Sequence, residues 1–173
     1  MKRLLLDLPD EAATTALGAA LARVLAPTAV VYLQGELGAG KSTLARGLLR
    51  ELGVTGAIRS PTYTLQERYP LGDSGTEAWH LDLYRINDAG ELEFLGLDAL
   101  DALWLIEWPE RGTGALPAPD LIVQVSVHGD GRRAELGAAT DAARQWLRQL
   151  ACDPACAPFM NIDRNNPLQP SDS

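Results

Sequence analysis

Residues 33–43, LQGELGAGKST, constrain the fold of this chain more than any other stretch. Within them, residues 35–42 match the pattern G-x-x-x-x-G-K-[ST] at every position, and we call these eight residues the glycine loop. Its glycines let the backbone turn so that amide groups face a chain of phosphates, and the N-terminus of the following helix adds positive potential. Because such a loop joins a buried strand to a helix, it predicts an α/β fold with a nucleotide site.

Hydrophobic periodicity predicts the elements on both sides of the glycine loop. The apolar residues 28–33 predict a strand that is buried on both faces, and residues 42–52 predict the helix that follows the loop. Before them, we expect a strand over residues 3–8 and an amphipathic helix over residues 10–26, which Pro27 ends. A strand and a helix therefore precede the strand that leads into the loop.

The second half of the chain predicts further strands. In chain order, we expect an extended segment over residues 60–69, a turn over residues 71–75 and a strand over residues 78–84. A short helix capped by Asn87 is expected over residues 87–95, and a buried strand over residues 102–106. A hairpin over residues 121–136 and a last helix over residues 143–150 complete the predicted elements. Alternating strands and helices argue for a largely parallel sheet covered by helices, and the late hairpin adds antiparallel pairing. The fold prediction is a single α/β domain with a mixed, largely parallel sheet over residues 1–150.

Residues 151–173 are rich in Pro, Asn, Asp and Ser and show little periodicity, so we expect a mostly disordered C-terminal tail. The two cysteines of the chain, Cys152 and Cys156, both lie in this tail. A single C-x-x-x-C spacing lacks the ligand count of a zinc site. We therefore predict two exposed, reduced thiols.

Charge and hydropathy exclude several classes of protein. The net charge of −8 argues against a chain that grips RNA or DNA by itself. No run of about 18 apolar residues occurs, so no membrane association is predicted. Asp7, Asp10 and Glu11 come too early for a secretory signal, and we expect a cytoplasmic protein.

The side chains of the glycine loop suggest how a nucleotide would be held. Lys41 is predicted to neutralise the β and γ phosphates, and the hydroxyl of Ser42 is predicted to bind Mg²⁺. Guanine-specific relatives of this loop usually carry an N-K-x-D motif downstream. Since no lysine follows Lys41, that motif is excluded and ATP is the predicted nucleotide.

A hydrolase or kinase with such a loop also needs a carboxylate near the metal, at the end of a buried strand. The candidates are Asp82, in the sequence HLDLYR, and Glu107, which follows the apolar run LWLI. Glu107 has the better context, because an ionised carboxylate at the tip of an apolar strand costs free energy unless it is paired. We predict Glu107 at the metal and Asp82 in the lining of the site, and we interpret His80 as a packed or partly exposed imidazole rather than a base.

The segment SPTYTL, residues 60–65, is a candidate switch segment. The hydroxyls of Thr62 and Thr64 could reach Mg²⁺ or the γ-phosphate, as they do in nucleotide-sensing segments. Thr and Tyr are also common strand residues, so this pattern by itself is weak. Trp104 and Trp108 flank Glu107, and core packing is the default interpretation for both.

Five motifs in order resemble the TsaE family, also called YjeE, of bacterial tRNA threonylcarbamoyladenosine synthesis. They are GELGAGKST, SPTYTL, HLDLYRI, ELEFLGLDAL and IEWPERG, followed by a trailing GR at Arg132. The resemblance runs from about Leu6 to Leu150. The family tends to have two threonines after the loop lysine, and Ser42 replaces the first of them here while keeping the hydroxyl.

The resemblance implies a P-loop NTPase-like fold, ATP and Mg²⁺ as ligands, and ATPase activity. It places Lys41, Asp82 and Glu107 in catalysis and Ser42 and Glu107 on the metal. The residues expected to contact ATP are Glu11, Gly38, Ala39, Gly40, Lys41, Ser42, Thr43 and Arg132. The implied partners are the TsaB and TsaD proteins, which would hold the tRNA. The resemblance further implies that TsaD transfers the threonylcarbamoyl group to an adenosine beside the anticodon and that ATP hydrolysis resets the complex between turnovers.

Two other functions stay open at this point. A small-molecule P-loop kinase usually has its loop close to the N-terminus and carries an arginine-bearing lid, whereas here a strand and a helix precede the loop and no compact Arg-rich lid stands out. A nucleotide-sensing interaction module without turnover would use the same loop. It differs from an ATPase only in whether phosphate is released.

Overall fold

The computed structural model describes residues 1–72, 75–97 and 101–160. The strands of the described chain are β1 (Arg3–Leu8), β2 (Val30–Gln34), β3 (Gln66–Leu71), β4 (Thr76–Asp82), β5 (Ala102–Glu107), β6 (Leu121–His128) and β7 (Gly131–Ala138). The α-helices are α1 (Glu11–Val24), α2 (Lys41–Glu51) and α3 (Asp141–Ala151), and short 3₁₀ helices span Ala89–Leu95, Pro109–Gly112 and Ala157–Phe159.

The strands form one seven-stranded sheet in the order β1-β7-β6-β2-β5-β4-β3. The four central strands, β6, β2, β5 and β4, run parallel to one another, and the outer strands pair antiparallel. This arrangement confirms the predicted α/β class with a mixed sheet that is parallel in its centre. Since the carboxyl ends of parallel strands lie at one edge of the sheet, β2, β4 and β5 bring the glycine loop, Asp82 and Glu107 to the same edge.

Each face of the sheet has its own apolar core. On the face covered by α1 and α2, buried side chains such as Leu17, Leu44 and Leu105 form the larger cluster. On the other face, Trp79 of β4 and Trp104 of β5 pack with ring centroids 4.7 Å apart. This contact confirms core packing for Trp104. Every residue of β5 is buried, as expected for a central parallel strand.

Helices α1 and α2 pack closely because each contributes a glycine at the contact. A Cβ atom added to Gly18 of α1 would overlap the carbonyl oxygen of Leu44, and one added to Gly47 of α2 would overlap the carbonyl oxygen of Thr15. Both obstacles are backbone atoms, which cannot move aside as the end of a flexible side chain can. The separation of the two helices, and with it the position of the glycine loop at the start of α2, depends on these two residues.

We expect Gly18→Ala to lower the free energy of unfolding by about 1–3 kcal/mol, because relieving the overlap requires the helices to separate. The higher helix propensity of alanine, worth about 1 kcal/mol, opposes this loss but does not remove the backbone overlap. Thermal unfolding of purified protein measures the effect. Gly137→Ala is the matched control, since no heavy atom of the described residues lies within 4 Å of its added Cβ. Equal stability of the two variants would contradict the prediction.

Two predictions of local structure between β2 and β5 are wrong. Residues 61–64, predicted to be extended, form a turn in which the amide of Leu65 donates to the carbonyl of Pro61 (2.7 Å). The helix predicted over residues 87–95 is a 3₁₀ helix, and its cap is Asp88 rather than Asn87, because the Asp88 carboxylate accepts from the amide of Gly90. The predicted turn over residues 71–75 falls partly outside the described residues.

Residues 152–160, predicted to be disordered, pack on the domain. The guanidinium of Arg23 on α1 donates to the Asp153 carboxylate (2.7 and 3.2 Å), and Met160 forms an antiparallel bridge with Leu6 of β1. Cys156 is fully buried, and burial raises the pKa of its thiol to about 11. The prediction of disorder is therefore wrong for residues 151–160, and the prediction of an exposed thiol is wrong for Cys156.

The exposed position predicted for Cys152 is confirmed, and both cysteines are free thiols. Residues 161–173 of the predicted tail lie outside the described residues. Among the helices of the described segments, none combines the length and the apolar character that crossing a bilayer requires.

Candidate nucleotide-binding site

The glycine loop leaves the end of β2 and leads directly into α2. Gly35, Gly38 and Gly40 have φ angles of 135°, 77° and 108°, a backbone region that residues with side chains rarely adopt. Gly40 caps α2 without a side-chain hydrogen bond. The first amide groups of a helix have no partner within the helix, so this end of α2 can receive an anion on its backbone N–H groups.

Lys41 is held inside the loop. Its Nζ atom donates to the carbonyl oxygens of Gly35 (2.8 Å) and Glu36 (2.9 Å) and lies 4.2 Å from the centre of the Trp108 ring. Burial lowers the pKa of Lys41 from its ordinary value, while the charges of Glu107, Asp82 and Glu110 oppose that shift. The ammonium group is thus placed in the loop where a phosphate would lie against the amides.

Glu107, at the end of β5, is buried and connects two side chains. The hydroxyl of Ser42 donates to its carboxylate, at 2.9 Å from Oε1 and 3.1 Å from Oε2. His80 of β4 places Nε2 2.8 Å from the same Oε1 atom. The pairing expected of a buried carboxylate at this position is therefore present. One partner of Glu107 is His80, for which no contact with Glu107 was predicted.

Asp82, at the end of β4, is also buried and has both oxygens bound. The hydroxyl of Thr62 donates to Oδ2 (2.8 Å), and the amide of Tyr84 donates to Oδ1 (3.0 Å). Asp82 and Glu107 are direct neighbours in the parallel pairing of β4 and β5. Thr64 does not join them, since its hydroxyl donates to Glu67 on β3 (2.9 Å).

One cavity of about 200 Å³ collects most of the predicted side chains. The residues that line it are Leu37, Gly38, Gly40, Lys41, Ser42, Thr43, Thr62, Asp82, Glu107 and Trp108. Its walls therefore include the loop cation, the hydroxyl of Ser42 and both candidate carboxylates. We call it the phosphate-side cavity.

A second cavity of about 310 Å³ lies on the α1 side of the glycine loop and shares Gly38, Gly40 and Thr43 with the first. Two further predicted residues, Glu11 and Arg132, line it. Arg132 donates from Nε to the carbonyl of Ala39 (3.1 Å) and from Nη2 to that of Gly38 (3.3 Å). Ala39 itself is fully buried, so its side chain supports the loop from behind.

Four residues that line this second cavity were not among the predicted site residues: Asp10, Thr14, Asp130 and Gly131. Asp10 caps α1 by accepting from the amide of Ala13 (2.8 Å). Asp130 lies in the tight turn between β6 and β7, next to Gly131 and two residues before the predicted Arg132. The signals that could have revealed them are the capping position and the turn, but neither indicates a ligand by itself.

Trp108 meets the prediction of core packing only in part, because it is a partly buried residue that packs against the cluster around Trp79 and Trp104. It has a φ angle of 58° just after β5 and is only half-buried, with its ring 5.1 Å from that of Tyr84. It lines the phosphate-side cavity and also an open cavity of about 500 Å³ beside Glu36 and Leu37. Its ring lies over the ammonium group of Lys41.

The donor set of the phosphate-side cavity fits Mg²⁺ bound together with a nucleotide. Magnesium is usually held by one or two carboxylates plus phosphate oxygens and water, and Glu107, Asp82 and the Ser42 hydroxyl supply oxygen donors of this type. Within the described residues, no group of three or more His, Cys, Asp or Glu side chains could hold a metal ion without such help. ATP and Mg²⁺ are therefore compatible with the side chains present.

A glycine loop between a buried parallel strand and a helix, with carboxylates at the ends of the adjacent parallel strands, defines the P-loop NTPase-like class of α/β domains. A family model described as "Threonylcarbamoyl adenosine biosynthesis protein TsaE" matches residues 8–135 of the chain. The chain belongs to the TsaE family, as its motifs indicated.

Individual relatives agree with this assignment. The Haemophilus influenzae tRNA threonylcarbamoyladenosine biosynthesis protein TsaE is 41% identical over 155 residues, which cover 85% of this chain and 97% of that protein. The Bacillus subtilis protein of the same name is 35% identical over 128 residues, covering 72% and 77%. A crystal structure of Bacillus subtilis YdiB superposes with a TM-score of 0.72 at 26% identity and covers 87% of this chain and 95% of that one.

Proposed function

We propose that this chain binds and hydrolyses ATP with Mg²⁺ as a component of tRNA threonylcarbamoyladenosine synthesis, acting with TsaB and TsaD in the cytoplasm. Membership of the TsaE family supports the pathway. The observation that carries the chemistry is the hydrogen bond from Ser42 at the start of α2 to the buried Glu107 at the end of β5. This bond joins the hydroxyl and the carboxylate that a metal-dependent reaction of phosphates needs beside the lysine of the glycine loop.

The residues of the phosphate-side cavity have separate tasks in this proposal. Lys41 exchanges its bonds to the loop carbonyls for bonds to phosphate oxygens, which is a short movement because its Nζ atom already lies within the loop. Ser42 and Glu107 would hold the metal, which would neutralise charge that develops on the phosphates. Asp82 has its carboxylate fixed by Thr62 and by the Tyr84 amide, so it is positioned to orient a water molecule or a metal-bound ligand.

The nucleoside is proposed to occupy the second cavity. That cavity shares three residues with the phosphate-side cavity, so the two adjoin at the glycine loop, and we propose that the ligand extends from one to the other. Its volume of about 310 Å³ is near the lower limit of small-molecule sites. Glu11, Thr43 and Arg132 line it and supply polar contacts, while the amides of residues 38–41 and the Lys41 side chain provide most of the affinity for the phosphates.

Hydrolysis in this account changes the state of a protein complex and needs no second small substrate. The tRNA is held by TsaB and TsaD, which agrees with the net charge of −8 on this chain. The kinase alternative requires a phosphoryl acceptor, and family membership does not favour it. The sensing module without turnover uses the same site and differs only in phosphate release.

The proposal is tested by reconstituting tRNA modification with purified TsaB, TsaD and this chain. We expect the chain to allow each TsaD molecule to modify more than one tRNA and to release phosphate faster in the presence of its partners. Equal tRNA modification when this chain binds ATP and when it binds a non-hydrolysable ATP analogue would favour the sensing module. Phosphate transfer to a small molecule, unaffected by partners, would favour the kinase.

A further inference from the structure

His80 is buried beside the proposed metal carboxylate, and neither the sequence motifs nor the proposed reaction gives it a role. Its side chain is 1% exposed, and its Nε2 atom lies 2.8 Å from Oε1 of Glu107. The contact follows from the sheet, because His80 and Asp82 lie on the same face of β4 and Asp82 pairs directly with Glu107 of β5. His80 therefore approaches Glu107 from deeper in the sheet, on the side away from the loop.

The chemistry of the contact fixes the direction of the hydrogen bond. An ionised carboxylate only accepts, so the proton between the two atoms belongs to Nε2 of His80. The other ring nitrogen, Nδ1, is buried and has no hydrogen-bond partner among the described residues. Nε2 of His80 is therefore the donor in this hydrogen bond.

The two oxygens of the Glu107 carboxylate differ in their hydrogen bonds. Oε1 accepts from both His80 and Ser42, whereas among the contacts of the described residues Oε2 accepts only the longer bond from Ser42. A carboxylate held at one oxygen by a buried donor cannot rotate freely about its last torsion. The other oxygen is then presented in one orientation, and groups that orient metal ligands in this way typically change metal affinity by about tenfold to a hundredfold.

We propose that His80 is a positioning residue, which donates a hydrogen bond from Nε2 to Glu107 and so fixes the orientation in which that carboxylate meets the Mg²⁺ of bound ATP. The proposal rests on the proposed function, because it takes Glu107 as the metal carboxylate. It adds a residue that touches neither nucleotide nor metal. His80 acts only through Glu107.

The first test needs no nucleotide. The chain has two histidines, His80 and His128, so long-range ¹H–¹⁵N correlation spectra of the labelled protein contain two imidazole patterns, and a His128→Gln variant assigns them. We expect Nε2 of His80 to carry a hydrogen. A His80 ring with hydrogen on Nδ1 alone cannot donate to Glu107 from Nε2 and would overturn the proposal.

The second test uses a pair of substitutions. The side-chain nitrogen of glutamine can occupy the place of Nε2, whereas leucine fills a similar volume without a donor. ATP affinity is measured by calorimetry with and without Mg²⁺, together with the melting temperature. We expect His80→Leu to leave ATP affinity without Mg²⁺ unchanged and to reduce the Mg²⁺-dependent gain by about tenfold to a hundredfold, and His80→Gln to keep most of that gain.

The outcomes separate positioning from packing. If His80→Leu keeps the full Mg²⁺-dependent gain, or if His80→Gln loses as much as His80→Leu while both remain folded, the hydrogen bond does not position Glu107 and the inference is wrong. His128→Leu controls for loss of an imidazole elsewhere, since His128 contacts Arg133 on the β6–β7 hairpin. If wild-type protein gains nothing from Mg²⁺, the proposed function fails, whereas the hydrogen position on His80 still reports on the hydrogen bond.

Discussion

A Lys41→Ala variant is expected to bind ATP roughly a hundredfold more weakly than the wild type and to release little phosphate. A hydrogen bond to a charged group contributes about 1.5–3 kcal/mol, and Lys41 offers its whole ammonium group to the phosphates. In the absence of nucleotide the same group bonds to the carbonyls of Gly35 and Glu36, so the variant also leaves the loop without its internal donor. Calorimetry and a phosphate-release assay measure both effects.

The other lysine of the chain provides the control. Lys2→Ala removes an equal charge from an exposed position before β1, so it tests whether net charge alone explains a loss of affinity. We expect Lys2→Ala to bind ATP like the wild type. Near-normal phosphate release by Lys41→Ala, in protein whose melting temperature shows it to be folded, would remove the main support for a phosphate site in the glycine loop.

Substitution of Glu107 is expected to separate binding from chemistry. Glu107→Gln keeps the volume of this buried side chain but removes its negative charge, and Glu107→Ala removes the carboxylate altogether. Because the loop amides and Lys41 provide most contacts with the phosphates, both variants should keep most of the ATP affinity measured without Mg²⁺, whereas the Mg²⁺-dependent gain should fall at least as far as in His80→Leu. Hydrolysis should fall by about a hundredfold to a thousandfold, which corresponds to about 3–4 kcal/mol of transition-state stabilisation.

Asp101→Asn is the matched control for Glu107→Gln. Asp101 is an exposed acid directly before β5, at the opposite end of the strand from Glu107. Removing its charge should leave both ATP affinity and phosphate release unchanged. Intact hydrolysis in Glu107→Gln, or continued multiple-turnover modification of tRNA by Glu107→Ala, would show that this carboxylate does not act at the metal.

The centre of the site was predictable because its parts are marked locally in the sequence. The glycine loop has a fixed spacing, and Glu107 follows an apolar run whose end a parallel sheet must place beside the loop. Asp82 was a weaker prediction, since the strand that carries it has a less continuous apolar pattern. The structure places both carboxylates in one cavity, so the class of fold was sufficient to bring them together.

The contact between His80 and Glu107 could not be predicted in the same way. The two residues are 27 positions apart, and their contact depends on the register in which β4 pairs with β5. A shift of one residue would turn His80 to the opposite face of the sheet, where Trp79 and Trp104 form the core. Periodicity indicates that a strand exists but does not give its register.

Composition misled the prediction for residues 152–160. Asp153 and Pro154 indicate a loop or a disordered tail, but Asp153 accepts from the amide of Ala155 (2.8 Å) and from Arg23, which fixes a compact turn. Cys156 is then buried against the domain. Core packing describes Trp108 only in part, because its backbone just after β5 also turns the ring over Lys41.

The most direct test of the central claim is the affinity of the purified chain for ATP in the presence of Mg²⁺, measured by calorimetry together with phosphate release. The account predicts one saturable site that Lys41→Ala weakens by roughly a hundredfold, and phosphate release that requires Glu107. It would be contradicted by a folded wild-type chain that binds no ATP at millimolar concentration, or that binds it equally well after Lys41→Ala.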